Sequence, residues 1–267
     1  MRKLKERYRY SIILLKQLVK TDFKLRYQGS VLGYLWSLLR PLALFIILYI
    51  VFAKFLKFGN TIPYFPIYLL LGIVLWNYFS EVTSGSVSAI VGRGDLLRKI
   101  NFPKYTIILA GSLAALINLL LNFVVVAVFM VFNDVDIRMT ILWLPLLVLE
   151  LFTLSLALAF FLSAAFVRFR DISYIWEVAL QGAFYATPIL YVLSIIPPRA
   201  AKILILNPMA QIIQDMRYIL VTPNTLTIDK IYGTHVARIV PVFIVLLITL
   251  ISATYFRRRS KYFAEDV

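Results

Sequence analysis

Cysteine is absent from this chain and histidine occurs once, at His235. The first absence excludes disulfides, thiolate metal ligation and a cysteine nucleophile, and the second leaves no histidine cluster to hold a metal. Charge is scarce as well, at 15% of residues, against about a quarter in a soluble globular domain. No G-x-x-x-x-G-K followed by Ser or Thr occurs, so nothing here cradles ATP phosphates, and the ten glycines form no G-x-G-x-x-G. What fills the chain instead is apolar: 61% of its 267 residues are hydrophobic. That composition places it among integral membrane proteins, as one helical domain over residues 1–267. The first apolar run lies behind a long basic segment without a small-residue cleavage site, so no cleaved signal is expected.

A membrane helix needs roughly 20 predominantly apolar residues. Six runs qualify: Gly33–Ala53, Tyr64–Ile90, Thr106–Phe132, Thr140–Val167, Ser173–Ile196 and Ile239–Phe256. They are continuous, where a barrel would need alternating segments of about ten residues. With both termini in the cytoplasm, 20 of the 28 Lys and Arg residues fall in cytoplasmic segments, the orientation favoured by the positive-inside rule. The basic excess then marks a membrane surface, and nucleic acid is not an expected partner.

Ahead of the first span, Tyr10–Tyr27 mixes apolar residues, Phe23 among them, with Lys16, Lys20, Lys24 and Arg26. Lysines at i, i+4 and i+8 make one polar stripe, so this helix is expected to lie in the membrane interface. Gly29 and Gly33, four apart, read either as a close helix-packing pair or as the bend into the span.

Between the second and third spans, Gly94–Phe102 reads as a short capped helix. Asp95 favours its N-terminus, Arg98 and Lys99 its C-terminal end, and Pro103 limits the following turn. Leu96, Leu97, Ile100 and Phe102 are expected to be exposed within this charged rim, which marks an interaction site; the plain alternative is a positive-inside loop.

Three carboxylates, Glu81, Glu150 and Glu177, fall inside spans. Each costs about 2.5–3.5 kcal/mol at the bilayer centre and should face protein or water. They have no basic partner in the same spans and make no proton-relay chain. Asp134 and Asp136 resemble the acidic pair of a glycosyltransferase, but the topology puts them in a short outer turn. Most Tyr and Trp read as headgroup anchors. Trp36, Trp76, Tyr78 and Tyr185 lie beside Ser37, Asn77, Ser80 and Thr187, where flat rings could instead line a wet path and stack on sugars. The segment 199–220 is too short and polar to cross. Asn207, Pro208, Met209, Ile212 and Ile213 begin an amphipathic helix there, read as a re-entrant or surface hairpin at the outer face.

The order of five pieces, "DFKLRYQGSVLGYLWSLLRP" (22–41), "LLRKINFPKY" (96–105), "FRDI" (169–172), "FYATPILY" (184–191) and "NPM" with Arg217, resembles the membrane subunits of ABC-type polysaccharide exporters of O-antigen or teichoic acid. The resemblance covers nearly the whole chain. It implies a homodimer of six-span subunits in the inner membrane, carrying two separate ATPase subunits that bind the ATP and magnesium. It also implies that 94–102 is the coupling helix seated in the ATPase, that the interface helix touches the ATPase too, and that 199–220 forms outer gate helices. The chain itself would be a non-catalytic permease half moving a lipid-linked polysaccharide. Two rivals remain open: an ABC permease for a drug or small lipid, and a membrane-embedded transferase acting on a lipid-linked sugar, for which no acid/base or metal constellation is found.

Overall fold

The computed structural model describes residues 12–22, 24, 32–55, 57, 62–99 and 102–263, with the side chain of Tyr34 left aside. Phe23, Arg26 and Ile100 lie outside the described residues. The architecture is all-helical, with no strands among the described residues.

Residues 12–22 form α1. Gly33, at φ +49°, opens the short 3-10 turn that turns the chain into α2 (Trp36–Tyr49); that left-handed backbone is one glycine adopts without a steric penalty. The helix widens into a π-helical stretch over Ile50–Phe55. Helix α3 (Phe65–Val87) starts with Pro66 in its first turn, where the missing N–H costs nothing. Then come α4 (Gly94–Lys99), α5 (Tyr105–Phe132), α6 (Leu144–Arg168), α7 (Ile172–Ala186), α8 (Pro198–Leu204), α9 (Pro208–Leu220), α10 (Ile228–Tyr232) and α11 (Ile239–Arg259).

The first half of helix α3, Phe65–Trp76, is apolar around its whole circumference, and such a stretch belongs inside a bundle. The helix packs against α2, α5, α6, α7 and α9, with α11 laid along α6. The core follows it: Leu69, Leu71 and Leu75 are fully buried among Ile107, Leu151 and Ile212. One end of the bundle gathers Arg93, Arg98, Lys99, Arg168, Arg170 and Arg257–Arg259, where Lys104 Nζ donates to the carbonyl of Ser260 at 2.5 Å and joins α5 to α11. The opposite end carries α8 to α10.

Among the described residues, five helices are long and apolar enough to cross a membrane: Trp36–Phe55, Phe65–Val87, Tyr105–Phe132, Met139–Arg168 and His235–Arg259. The remaining expected span, Ser173–Ile196, is α-helical only as α7, 15 residues or about 22 Å, with a short 3-10 turn at Leu193–Ile195. Pro188 stops it, because the residue before a proline is pushed out of helical geometry, and Thr187 is extended at φ −93°, ψ 138°.

Two surface expectations change. Leu97 and Phe102, expected to be exposed, are buried at 8% and 6%. A six-residue helix cannot stand alone, and α4 holds its place by turning its apolar face into the core that contains Ile90 and Ile107. Asp95, Arg98 and Lys99 stay exposed, with Leu96 half-buried. Of the two alternatives for 199–220, the surface hairpin does not hold over α9, of which every residue but Tyr218 is buried. Its apolar side meets the core, and its polar side finds partners inside the protein.

Candidate functional site

The polar residues of three spanning helices converge on one cavity of about 820 Å³ between α2, α3 and α5. Helical spacing explains the convergence. Trp36 and Ser37 each share a face of α2 with Arg40, Asn77, Glu81 and Ser84 a face of α3, and Ala115, Asn118 and Asn122 a face of α5, at spacings of three to four residues. Asn118 Nδ2 donates to Glu81 Oε1 at 3.1 Å. Asn122 Nδ2 donates to the carbonyl of Asn118 at 2.8 Å and to that of Ser37 at 3.3 Å. The second of these bonds has a local cause: Pro41 has no N–H to give the carbonyl four residues back, which is that of Ser37. A kilocalorie-scale penalty attaches to each polar side chain facing lipid, which is why the polar stripes of these three helices turn toward one another and line a shared polar cavity.

A smaller cavity of about 370 Å³ shares Glu81 and Gly85 with the first and runs between α3 and α5 past Ser86, Ala89, Gly111 and Ser112. At its basic end, Asp22 of α1 accepts from Arg93 in an ion pair. The two cavities together run from that pair to Arg40 and Asn122.

Of the four expected path aromatics, the structure brings Trp36 and Tyr78 to this cavity. Trp76 turns away. It packs on Phe79 at 5.4 Å and meets Phe184 edge-on at 5.7 Å, in a seam continued by Phe79 and Trp176 at 6.4 Å between α3 and α7. Tyr185 is exposed on α7, 5.3 Å from Phe184. Lys16 and Lys20 are exposed on α1 and Lys24 just beyond it, and Pro103 is half-buried beside Phe102. Three contributors to the path were missed in the sequence: Arg40, Asn118 and Asn122. The four-residue spacing of the two asparagines on an otherwise apolar helix was the available signal.

At the opposite end, Asn207 caps α9 by accepting from the Met209 N–H at 3.0 Å; Pro208, Met209, Ile212 and Ile213 are buried behind it. Arg217, with no exposed surface, donates to the carbonyls of Tyr68 at 3.0 Å, Pro188 at 2.6 Å and Ile189 at 2.7 Å, and lies 3.5 Å over the Tyr68 ring. It thereby holds α9, α3 and the broken end of α7 together. Asp215 accepts from Gln211 at 2.7 Å and pairs with Arg238, which bridges to Asp229 at 2.8 Å and ties α9 and α10 to the start of α11. Burial pushes the Asp215 carboxyl above the usual carboxylate range, against the pull of Arg238. Glu150 lies beside this group and Glu177 is exposed on α7. Asp134 and Asp136 are exposed, with Asp134 at φ +50° in the turn after α5.

A family model described as "ABC-2 type transporter" matches residues 13–221. The chain is 34% identical over 221 residues to an O-antigen export system permease protein RfbA from Myxococcus xanthus, covering 82% of this chain and 84% of that protein. It is 26% identical over 266 residues to a protein of the same name from Klebsiella pneumoniae, with 98% of each covered. To the polysialic acid transport protein KpsM of Escherichia coli it is 24% identical over 209 residues, 77% of this chain and 80% of that protein.

Proposed function

Because this chain belongs to the ABC-2 type transporter family, we propose that it is the permease half of an ATP-driven exporter of a lipid-linked polysaccharide. The observation that carries the reading is the joined polar path between α2, α3 and α5, built from uncharged hydrogen-bonding groups and aromatic rings with few fixed charges. Such a lining suits a neutral, hydroxyl-rich chain that must slide without being gripped.

The family implies a separate ATPase partner in a membrane setting. Two copies of the permease act with two copies of that ATPase, which supplies the nucleotide and magnesium chemistry. Helix α7 supports the homodimer. Leu180 is its one buried residue, and Glu177 and Gln181 are exposed on it. A carboxylate and an amide there are better placed against a second copy and water than against lipid. In that assembly α7 and the segment to Ile196 complete a sixth crossing. The basic end faces the cytoplasm of the inner membrane with both termini, and α8 to α10 form the outer gate. The charged face of α4, Asp95, Arg98 and Lys99, meets the ATPase, while Leu97 and Phe102 anchor the helix from behind.

The test replaces Asn118 and Asn122 together by Leu in cells that depend on this permease. Surface polysaccharide should fall at least tenfold while the permease–ATPase complex still co-purifies. Undiminished export would reject the path.

A further inference from the structure

A third groove lies on the flank of the bundle, away from the polar path. It occupies about 590 Å³ between α1 and the half of α5 nearer the basic end. Its floor is Leu15 and Val19 of α1 with Leu113, Leu116, Ile117 and Leu120 of α5. Along it stand Lys16, Lys20 and Lys24, one helical turn apart and all exposed. None of the three is ion-paired to a described residue.

An apolar trough bordered by three ammonium groups on a membrane helix has a specific complement. The trough takes an acyl chain by packing and shape, because a lipid tail already in the bilayer gains nothing further from water exclusion. The rim takes a negative charge at the level where chain meets headgroup. A zwitterionic headgroup would bring its own cation to the lysines and gain little from them. We propose that this groove binds an anionic glycerophospholipid of the leaflet at the basic end, its acyl chain along α5 and its phosphate on Lys16, Lys20 and Lys24. The consequence reaches the path. Asp22, two residues beyond Lys20 on the same segment, lines the smaller cavity and pairs there with Arg93. A lipid seated on α1 therefore steadies a segment that borders this cavity. The inference rests on the membrane placement of α5 and is independent of what the protein exports.

The test is native mass spectrometry of the full chain in detergent, offered phosphatidylglycerol, phosphatidylcholine or undecaprenyl phosphate at equal concentration. Phosphatidylglycerol should be retained at least tenfold over phosphatidylcholine. Each Lys→Gln change should lower its retention about fivefold, the equivalent of roughly 1 kcal/mol per basic residue at an anionic surface. The triple change to Arg, which keeps the charge, should bind as the wild type does. Ile117→Trp, which fills the trough and leaves the lysines in place, should lose the lipid. Equal retention of the two phospholipids overturns the proposal, and so does phosphatidylglycerol binding that survives the triple Gln change or Ile117→Trp. Undecaprenyl phosphate displacing phosphatidylglycerol, with the same dependence on the lysines, overturns it in favour of a carrier-lipid site.

Discussion

Replacing Arg217 should loosen the end of the bundle opposite the basic one more than any other single polar substitution. Its guanidinium is fully buried and serves three backbone carbonyls on two different segments, with no carboxylate beside it. In Arg217→Ala the Pro188 and Ile189 carbonyls lose this donor, while that of Tyr68 keeps its place in the α3 ladder, and a buried polar group left without a partner costs about 1–3 kcal/mol. These losses cannot simply be added, because the variant also escapes the cost of burying a cation. A net loss of about 3–5 kcal/mol is the expectation, the usual scale for breaking a buried charged contact from one side. Arg217→Lys should fall between, since a compact ammonium cannot reproduce the planar fork that spans the Tyr68, Pro188 and Ile189 carbonyls. Gly72→Ala supplies an independent handle. A Cβ at that position would lie 2.6 Å from Arg217 Nη2 and 3.2 Å from the Ile189 carbonyl, so it displaces the fork without removing it. The assay is the apparent thermal midpoint of the purified protein in detergent, with protection of the Thr187, Ile189 and Leu190 amides from hydrogen exchange as the local readout. The double variant Gly72→Ala with Arg217→Lys should be far less destabilised than the sum of the two single changes, because both act on one contact. An Arg217→Ala protein with a wild-type midpoint and unchanged exchange at those amides would refute the reasoning.

Two further outcomes separate the roles of α4 and the orientation of the bundle. Arg98→Glu should reduce co-purification of the ATPase in a salt-dependent manner and leave the thermal midpoint unchanged, as expected of an exposed charge at a docking surface. Leu97→Ala should instead lower the midpoint, by an amount near the 2–5 kcal/mol of a buried Leu truncation, and a variant that lost the ATPase at unchanged stability would return Leu97 to the interface. Cysteines placed at Arg98 and Arg258 should react with an impermeant thiol reagent only from the cytoplasmic side and one at Asp134 only from outside, a clean assay in a chain with no native cysteine. Labelling of Asp134 from the cytoplasm would invert the topology.

Much of the candidate path was visible one helix at a time. Trp36 and Tyr78 stood out because polar neighbours flanked them, and Glu81 because a carboxylate in a span needs a partner. Asn118 and Asn122 show the same four-residue spacing, but a single helix does not reveal that its polar stripe faces two others. Trp76 differs from Tyr78 by two positions along α3, which is enough rotation to send one ring to the α7 seam and the other to the cavity. The sequence read each as an aromatic beside a polar residue and had no means to tell them apart.

Run length and composition alone determined that this is a helical membrane protein, and the basic residues at the ends of the runs marked one end of its bundle. These are local quantities, summed over neighbours along the chain, and they survive whatever the helices later pack against. Tertiary structure decided the rest. It broke the run from Ser173 to Ile196 at Pro188, where a buried arginine from a distant helix takes the carbonyls that the break exposes. It turned Leu97 and Phe102 inward and buried both sides of α9. Each of these outcomes depends on the rotation of a helix about its axis and on which surface lies against it, and both are set by the packing of α3 among its five neighbouring helices.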